Sequence, residues 1–288
     1  MLQSSKLIFY INGGELNMAG TAKLTEWRKA ITMPVIAQVL NNNWSLTELE
    51  KILTESFSKC VDVCLEKNGG VICTTLSGGV DSSFCLAKIR EIVGRKTPIH
   101  ALTIVGDERH PDLQFARIAA KKFSAIHHEY IPEKGSAVAA KNFLDFTWPE
   151  EPHSDGSAAV FLLYWLINRH GFKCAIACDG IDELFGGYWP HRQGQSPEEK
   201  RAIFEKLWGA LEKDHLLPLE RKAGHFGIDV VLPYLQEKIV NYISEIPLND
   251  RTSFKESKTP LRTIARKYLP KEIIDRKKIG FCDALKIW

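Results

Sequence analysis

The stretch Leu76-Ser77-Gly78-Gly79-Val80-Asp81-Ser82-Ser83 follows an apolar, β-rich run from Val71 to Leu76 and precedes a helix-like pattern from Phe84 to Ile89. A strand that turns through two glycines into a helix aims backbone N–H groups and the positive end of a helix dipole at one point, which suits a phosphate. The glycines let the backbone approach an anion closely. The serine hydroxyls can add donors, and Asp81 can hold a cation that bridges phosphates. No Gly-Lys-Ser/Thr follows, so this is not a Walker A loop.

Such a loop needs a strand before it and a helix after it, and the surrounding pattern supplies several more. Ser45-Leu46-Thr47-Glu48 reads as a capping box. Behind it, Leu49, Ile52, Leu53, Phe57, Cys60, Val61, Cys64 and Leu65 recur at helical spacing up to Asn68-Gly69-Gly70. Strands are expected over 71–76, 99–105, 125–131 and 173–178, with helices over 82–93, from Pro111 to Phe123, and over 157–169. This alternation predicts an α/β, doubly wound parallel sheet. Beyond Pro197 the pattern is helical over 198–213, 233–245 and 259–268, so a helical C-terminal layer is expected. The reading divides the chain into an extension of unassigned role (1–44, with a short hairpin-like piece at Leu7–Leu16) and a domain over 45–288, its α/β core at 68–190 and its helical part at 191–288.

Composition narrows the function. The chain has 288 residues, and its 38 basic and 35 acidic residues leave a net charge of +3, too weak to argue for nucleic acid or an anionic membrane as partner. The longest apolar run, Ala158–Ile167, is about half a membrane span. Only five apolar residues, Leu7 to Ile11, follow Lys6. That is too short for a signal peptide, so a cytoplasmic location is expected. Seven cysteines with no Cys-x-x-Cys spacing argue for reduced, mostly buried thiols rather than a zinc or iron–sulfur site. Cys60 and Cys64 should share a helix face, and Cys174 and Cys178 one side of a strand. His127 and His128 are strand neighbours facing opposite ways, which suits structural roles.

A second acidic glycine loop, Cys178-Asp179-Gly180-Ile181-Asp182-Glu183-Leu184-Phe185-Gly186-Gly187-Tyr188, follows the fourth strand. Ligands of open parallel sheets sit beyond the carboxyl ends of the strands, so the two loops should face one crevice, with Asp81 and Asp182 sharing Mg²⁺. The first loop resembles the pyrophosphate loop of ATP pyrophosphatases, a HUP-like fold. The second resembles the Gly-Glu-Gly-x-Asp-Glu-x-Phe-Gly-Gly-Tyr signature of the synthetase domain of glutamine-hydrolysing asparagine synthetases. Pro111-Asp112-Leu113, His127-His128-Glu129, Lys258, Leu261-Arg262, Leu269-Pro270 and Arg276-Lys277-Lys278-Ile279-Gly280-Phe281 match the same family in the same order, over roughly residues 46–285.

The resemblance implies an ATP-dependent, AMP- and pyrophosphate-forming amide ligase. Ser77, Gly78, Gly79, Ser82, Ser83 and Gly180 would bind the phosphates of ATP, with Leu76 and Ile104 lining the adenine pocket. Asp81 and Asp182 would hold Mg²⁺, Lys278 would act as catalytic lysine on the phosphates, and Lys258 would be a weaker candidate for the same contact. Asp179 stands where the family has a glutamate that handles the amine. The resemblance does not extend to a glutaminase half, and the chain begins Met1-Leu2-Gln3. Nitrogen is therefore expected from ammonia, another amine, or a separate glutaminase. In Phe226–Gln236, Val231 replaces the family's arginine and Gln236 its aspartate. The loop 149–158 offers only His153 for a substrate α-carboxylate. Aspartate as substrate is thus in question, and amidation or cyclisation of another carboxylate, as by β-lactam synthetases or lasso-peptide cyclases, is the alternative. A tRNA-thiolating enzyme or a binding-only protein fits the motifs less well.

Overall fold

A computed structural model describes residues 26–133, 135–151, 153–193, 196–277, 280 and 283–286. The hairpin expected at Leu7–Leu16 and the lysine Lys278 lie outside these residues. Five strands form one parallel sheet in the order β3-β2-β1-β4-β5: β1 Ile72–Thr75, β2 Ile99–Ile104, β3 Ile126–Tyr130, β4 Cys174–Ile176 and β5 Asp229–Val231. The helices are α1 Glu26–Thr32, α2 Leu46–Lys67, α3 Val80–Val93, α4 Pro111–Lys122, α5 Ser136–Thr147, α6 Asp155–Arg169, α7 Ile181–Phe185, α8 Trp189–Gln193, α9 Pro197–Leu211, α10 Leu217–His225, α11 Glu237–Glu245, α12 Leu248–Arg251, α13 Thr259–Ala265 and α14 Lys271–Asp275. The doubly wound α/β fold is as expected. β5 falls in the part expected to be helical, and α1, α5, α7 and α8 fall in stretches where no helix is expected.

The strand order places a topological switch between β1 and β4: the chain runs outward through β2 and β3 on one side and through β5 on the other. The loops that leave β1 and β4 are the two glycine loops, so they flank the switch point where such sheets bind ligands. β5 is only three residues long and is held by parallel pairing to β4, with the Asp229 N–H donating to the carbonyl of Lys173, just before β4, at 2.8 Å. So short a strand has no periodicity of its own to read.

Helix α2 buries most of the stripe expected of it, Leu49, Leu53, Phe57, Cys60, Val61 and Cys64, while Ile52 and Leu65 at its edges are partly buried. Its capping box is half formed. Ser45 accepts from the Glu48 N–H, but the Ser45 N–H is taken by the Tyr242 hydroxyl at 2.8 Å. The reciprocal box occurs instead at Ser196 and Glu199, opening α9. The stripe on α2 reaches the site through Phe57, which meets the Tyr234 ring edge-on at 5.2 Å. On the other side, Arg251 is fully buried and its guanidinium donates to the carbonyls of Ile246, Val35, Ser244 and Leu184, tying α7 to the helical layer. Burial lowers its pKa to about 9. Trp27 and Ala30 of α1 sit in the same core.

The described cysteines are free thiols, and all but Cys178 are buried. Cys60 and Cys64 share the buried face of α2, but β4 ends at Ile176, so Cys178 lies past the strand rather than alongside Cys174 on it. No helix among the described residues is long and apolar enough to cross a membrane.

His127 and His128 do face opposite ways. His127 meets the Thr103 hydroxyl at 2.7 Å, while His128 stacks on His100 and contacts the His170 ring at 4.1 Å between centroids. His100 Nδ1 and His128 Nε2 share a hydrogen bond of 2.8 Å, so one ring must be a neutral acceptor. Burial first, then His170, His100 and His127, lower the His128 pKa from 6.5 to about 4. Between those values the unfolded chain binds more protons than the folded one. The contribution of the neutral ring is therefore complete above 6.5 and is lost as pH falls toward 4. Urea midpoints should drop more steeply from neutral pH to about 4.5 in the wild type than in His128→Gln; equal slopes would remove this cluster from the acid response.

Gly78 has φ +70°, and a Cβ there would stand 2.4 Å from the Ala116 nitrogen in the backbone of α4. The glycine is required by a helix packed against the loop. Gly78→Ala should lower unfolding free energy by about 2–4 kcal/mol through left-handed strain and overlap. Urea unfolding measures this, and a loss under about 0.5 kcal/mol would contradict the packing.

Candidate active site

The first loop is built by its own serines. Leu76 N–H extends the pairing of β1 by donating to the Leu102 carbonyl at 2.9 Å. Ser82 Oγ accepts from the Ser77 N–H at 3.2 Å and lies 3.1 Å from Ser77 Oγ, which in turn accepts from the Gly79 N–H at 3.4 Å. Helix α3 then starts from Gly79, putting Asp81 in its first turn. The Tyr234 hydroxyl donates to the Asp81 carbonyl at 3.0 Å, so the position of this turn is fixed from α2 through Phe57 and Tyr234.

The second loop is a single helical turn, α7, entered by Gly180 (φ +83°) and left by Gly186 (φ +78°). Both backbone N–H groups of Gly186 and Gly187 bond back to the Asp182 carbonyl. A Cβ on Gly187 would fall 1.8 Å from Asp182 Oδ1 and 2.3 Å from Lys258 Cε. The absence of a side chain at 187 is what makes room for these two groups to meet.

Lys258 joins the loops. Its ammonium lies 2.6 Å from Asp81 Oδ2 and 2.8 Å from Asp182 Oδ1, and the side chain is only 4% exposed. Burial alone would pull its pKa down, but the two carboxylates outweigh this and hold it above its ordinary value. Its backbone is left-handed, φ 53° and ψ 41°, at the start of α13. Asp81 and Asp182 thus converge on the Lys258 ammonium. Asp81 Oδ1 is buried and accepts no hydrogen bond, so one carboxylate oxygen remains to coordinate a hard cation. These donors fit Mg²⁺ as partial ligands. Among the described residues no set of three or more His, Cys, Asp or Glu side chains could hold a metal by itself.

A cavity at this junction is lined by Ser77, Gly79, Val80, Asp81, Ser257, Lys258, Arg262 and Arg276. The sequence pattern gives no site role to Arg262 or Arg276. Arg262 is held by the Ile274 carbonyl at 2.7 Å. Arg276 is 4% exposed, paired with Asp112, stacked over Phe115 at 4.9 Å and 3.4 Å from the Ser77 carbonyl. Both stand in segments that match the family, so their arginines were visible; what was not visible was that the chain folds them onto the first loop.

Other expected residues lie elsewhere. Ser83 is fully buried in α3 with no partner for its hydroxyl and does not line the cavity. Ser82 is turned into the loop. Gly180 is packed against Leu235, whose side chain would overlap any Cβ. Leu76 and Ile104 are buried at their strand ends and also do not line the cavity. Beside them the Gly106 N–H donates to the Ala284 carbonyl at 2.7 Å.

Asp179 lies between the sheet and the second loop. Burial raises its pKa, Asp182 adds to the rise, and His215 opposes it. The neighbouring Glu183 is buried, accepts from the Tyr188 hydroxyl at 2.8 Å and lies 3.9 Å from His215 Nε2. His215 sits in a π-helical turn, Glu212–Leu216, a form that often marks functional positions. His153 is buried, with Nε2 on the Trp148 carbonyl at 3.0 Å.

Residues 53–213 and 200–288 match the family model described as asparagine synthase. The glutamine-hydrolyzing asparagine synthetase of Triphysaria versicolor is 28% identical over 230 residues, covering 73% of this chain and 39% of that protein. That of Gallus gallus is 28% identical over 228 residues with the same two shares. Asparagine synthetase B of Escherichia coli K12 is 25% identical over 226 residues, covering 73% and 40%. The chain thus spans about two fifths of the length of these relatives. Both glycine loops, Lys258 and Arg276 fall within a match that covers well over half of the sequence, and the chain belongs to the asparagine synthase family.

Proposed function

We propose that this chain is an ATP-dependent, AMP- and pyrophosphate-forming carbon–nitrogen ligase. The observation that carries the proposal is the meeting of Asp81 and Asp182, from loops at adjacent strand ends, on Lys258. It is joined by a cavity where Lys258, Arg262 and Arg276 face the first loop. A cavity that orients Lys258, Arg262 and Arg276 beside the first loop suits a polyphosphate, and charge that grows on a leaving pyrophosphate is where such pre-set groups act most strongly.

In this reading a substrate carboxylate oxygen attacks the α-phosphorus of ATP, the bond to the β-phosphate bridge breaks, and pyrophosphate leaves. An amine then attacks the acyl carbon, and AMP departs with the electron pair of the acyl–oxygen bond. Mg²⁺, held through Asp81 and Asp182, would neutralise phosphate charge. Ser77 and Gly79 line the phosphate side, Arg276 and Asp112 brace the loop, and Lys278 is kept from the family resemblance as the lysine that reaches the phosphates. Asp179, with its raised pKa, suits a general base for the amine.

Ammonia-dependent conversion of aspartate to asparagine is the first substrate assignment. A second reading, another carboxylate amidated or cyclised by the same adenylation, is favoured by Gln236. Its side chain is buried, with Nε2 on the Leu232 carbonyl at 3.3 Å, so position 236 presents no carboxylate to a substrate. Val231 is likewise spent on β5.

Incubation with ATP, Mg²⁺, ammonium and a panel of carboxylates headed by aspartate should release AMP and pyrophosphate; ADP and phosphate as products would exclude the mechanism. Asp81→Ala and Asp182→Ala should each lose at least about a hundredfold in pyrophosphate release. Asp179→Asn should keep carboxylate-dependent pyrophosphate release while amide formation falls by about a hundredfold. Parallel loss of both products would instead place Asp179 in adenylation.

A further inference from the structure

Lys258 and a shared magnesium ion compete for one place. The ammonium is 2.6 Å from Asp81 Oδ2 and 2.8 Å from Asp182 Oδ1. A Mg²⁺ bound to the same two oxygens would lie roughly 2.0–2.1 Å from each. The two cations would overlap, and like charges that close repel strongly where water is scarce. Either the ion stays out or the ammonium leaves at least one carboxylate.

The lysine does not leave freely. It is 3% exposed and held in the left-handed region, uncommon for a residue with a side chain. The turn before it is closed by the Ser253 N–H on the Glu256 carbonyl at 2.8 Å, and its own carbonyl accepts from the Arg262 N–H at 2.9 Å. A buried ammonium pulled from its carboxylates needs another anion close by. The cavity beside it supplies the space for one, since Lys258 lines that cavity with Ser77 and Gly79. Magnesium also dehydrates reluctantly and wants six oxygens, more than two carboxylates offer.

We propose that Lys258 is the built-in counter-ion of the Asp81–Asp182 pair and sets the order of loading. The pair takes no divalent cation alone. It takes one together with a polyphosphate, whose oxygens complete the metal's coordination and receive the displaced ammonium. Lys258 is in this sense a positioning residue: it holds the two loops at metal-sharing distance and then hands that place over. The inference rests on the reading of this cavity as a polyphosphate site.

The test is calorimetric titration with MgCl₂, without nucleotide and in the presence of α,β-methylene ATP, with thermal melts run alongside. After subtraction of the same titration of the nucleotide without protein, wild-type protein should show no uptake of millimolar Mg²⁺ alone and clear uptake with the nucleotide. Lys258→Met, similar in shape but neutral, should bind Mg²⁺ without nucleotide at least about tenfold more tightly than wild type, and Lys258→Arg should behave as wild type. Wild-type protein that binds Mg²⁺ equally well with and without nucleotide overturns the inference, as does a cooperatively melting Lys258→Met with no gain. Should Lys258→Met fail to fold, the wild-type titrations decide alone. Should the nucleotide fail to bind, the polyphosphate reading is lost and the metal gain in Lys258→Met decides the lysine's role. No readout depends on turnover, so a failed ligase assay and a failed counter-ion remain distinct results.

Discussion

Two carboxylates and one ammonium, drawn from three distant parts of the chain, meet in a space that excludes most water. Bringing each such charge out of water costs several kcal/mol, and only close, well-formed pairing offsets it. Here the pairing is close on both sides of Lys258, and the fold accepts backbone strain to achieve it. Lys258 and Ser124 are the described non-glycine residues with positive φ. Conversely, Gly187 is bare where any side chain would collide with Asp182 and Lys258. Strain at one residue and an omitted side chain at another serve the same contact, which is the pattern expected where geometry has been kept for chemistry rather than for stability.

The sheet explains why the two loops can meet at all. In a parallel sheet of order β3-β2-β1-β4-β5, β1 and β4 are neighbours although about a hundred residues separate them, and both release their loops at the same edge. What surrounds the loops then holds them. Tyr234 grips the Asp81 carbonyl from a 3₁₀ turn that follows β5. Arg251 grips the end of α7. Arg276 and Asp112 form a buried pair under the first loop. Each of these is a long-range tie, so the site is rigid only once the helical layer has docked on the sheet.

That explains what could and could not be read in advance. Strands β1 to β4, the two loops and the buried stripe of α2 are local patterns of period and turn chemistry, and they were legible. The meeting of Asp81 and Asp182 followed from topology. β5 was not legible, because three residues define a strand only through their partner. Nor was α5. The roles of Arg262 and Arg276 depend on which loop they fold against. Gly78 was read as a glycine for an approaching anion, yet the close neighbour is the backbone of α4. Lys258 was ranked below Lys278 among the basic residues, since nothing in a sequence announces that a lysine will be buried between two aspartates.

The charges around the cavity also bear on what it can bind. Lys258 faces Asp81 and Asp182, and Arg276 is paired with Asp112, while Arg262 is held by a backbone carbonyl. Among these described residues, three cations stand against three carboxylates, so the site is close to neutral before a ligand arrives. A neutral arrangement of fixed charges attracts a bare polyanion weakly from afar but can stabilise it strongly on contact, because dipoles and donors are already oriented. In the proposed order of loading, a polyphosphate that brings its own divalent cation would disturb this balance less than a bare one: the ion would take over the carboxylates, and the released ammonium would turn to the phosphates. Near-neutrality at rest thus involves all six charged groups, whereas the proposed exchange of cations would involve only Lys258, Asp81 and Asp182.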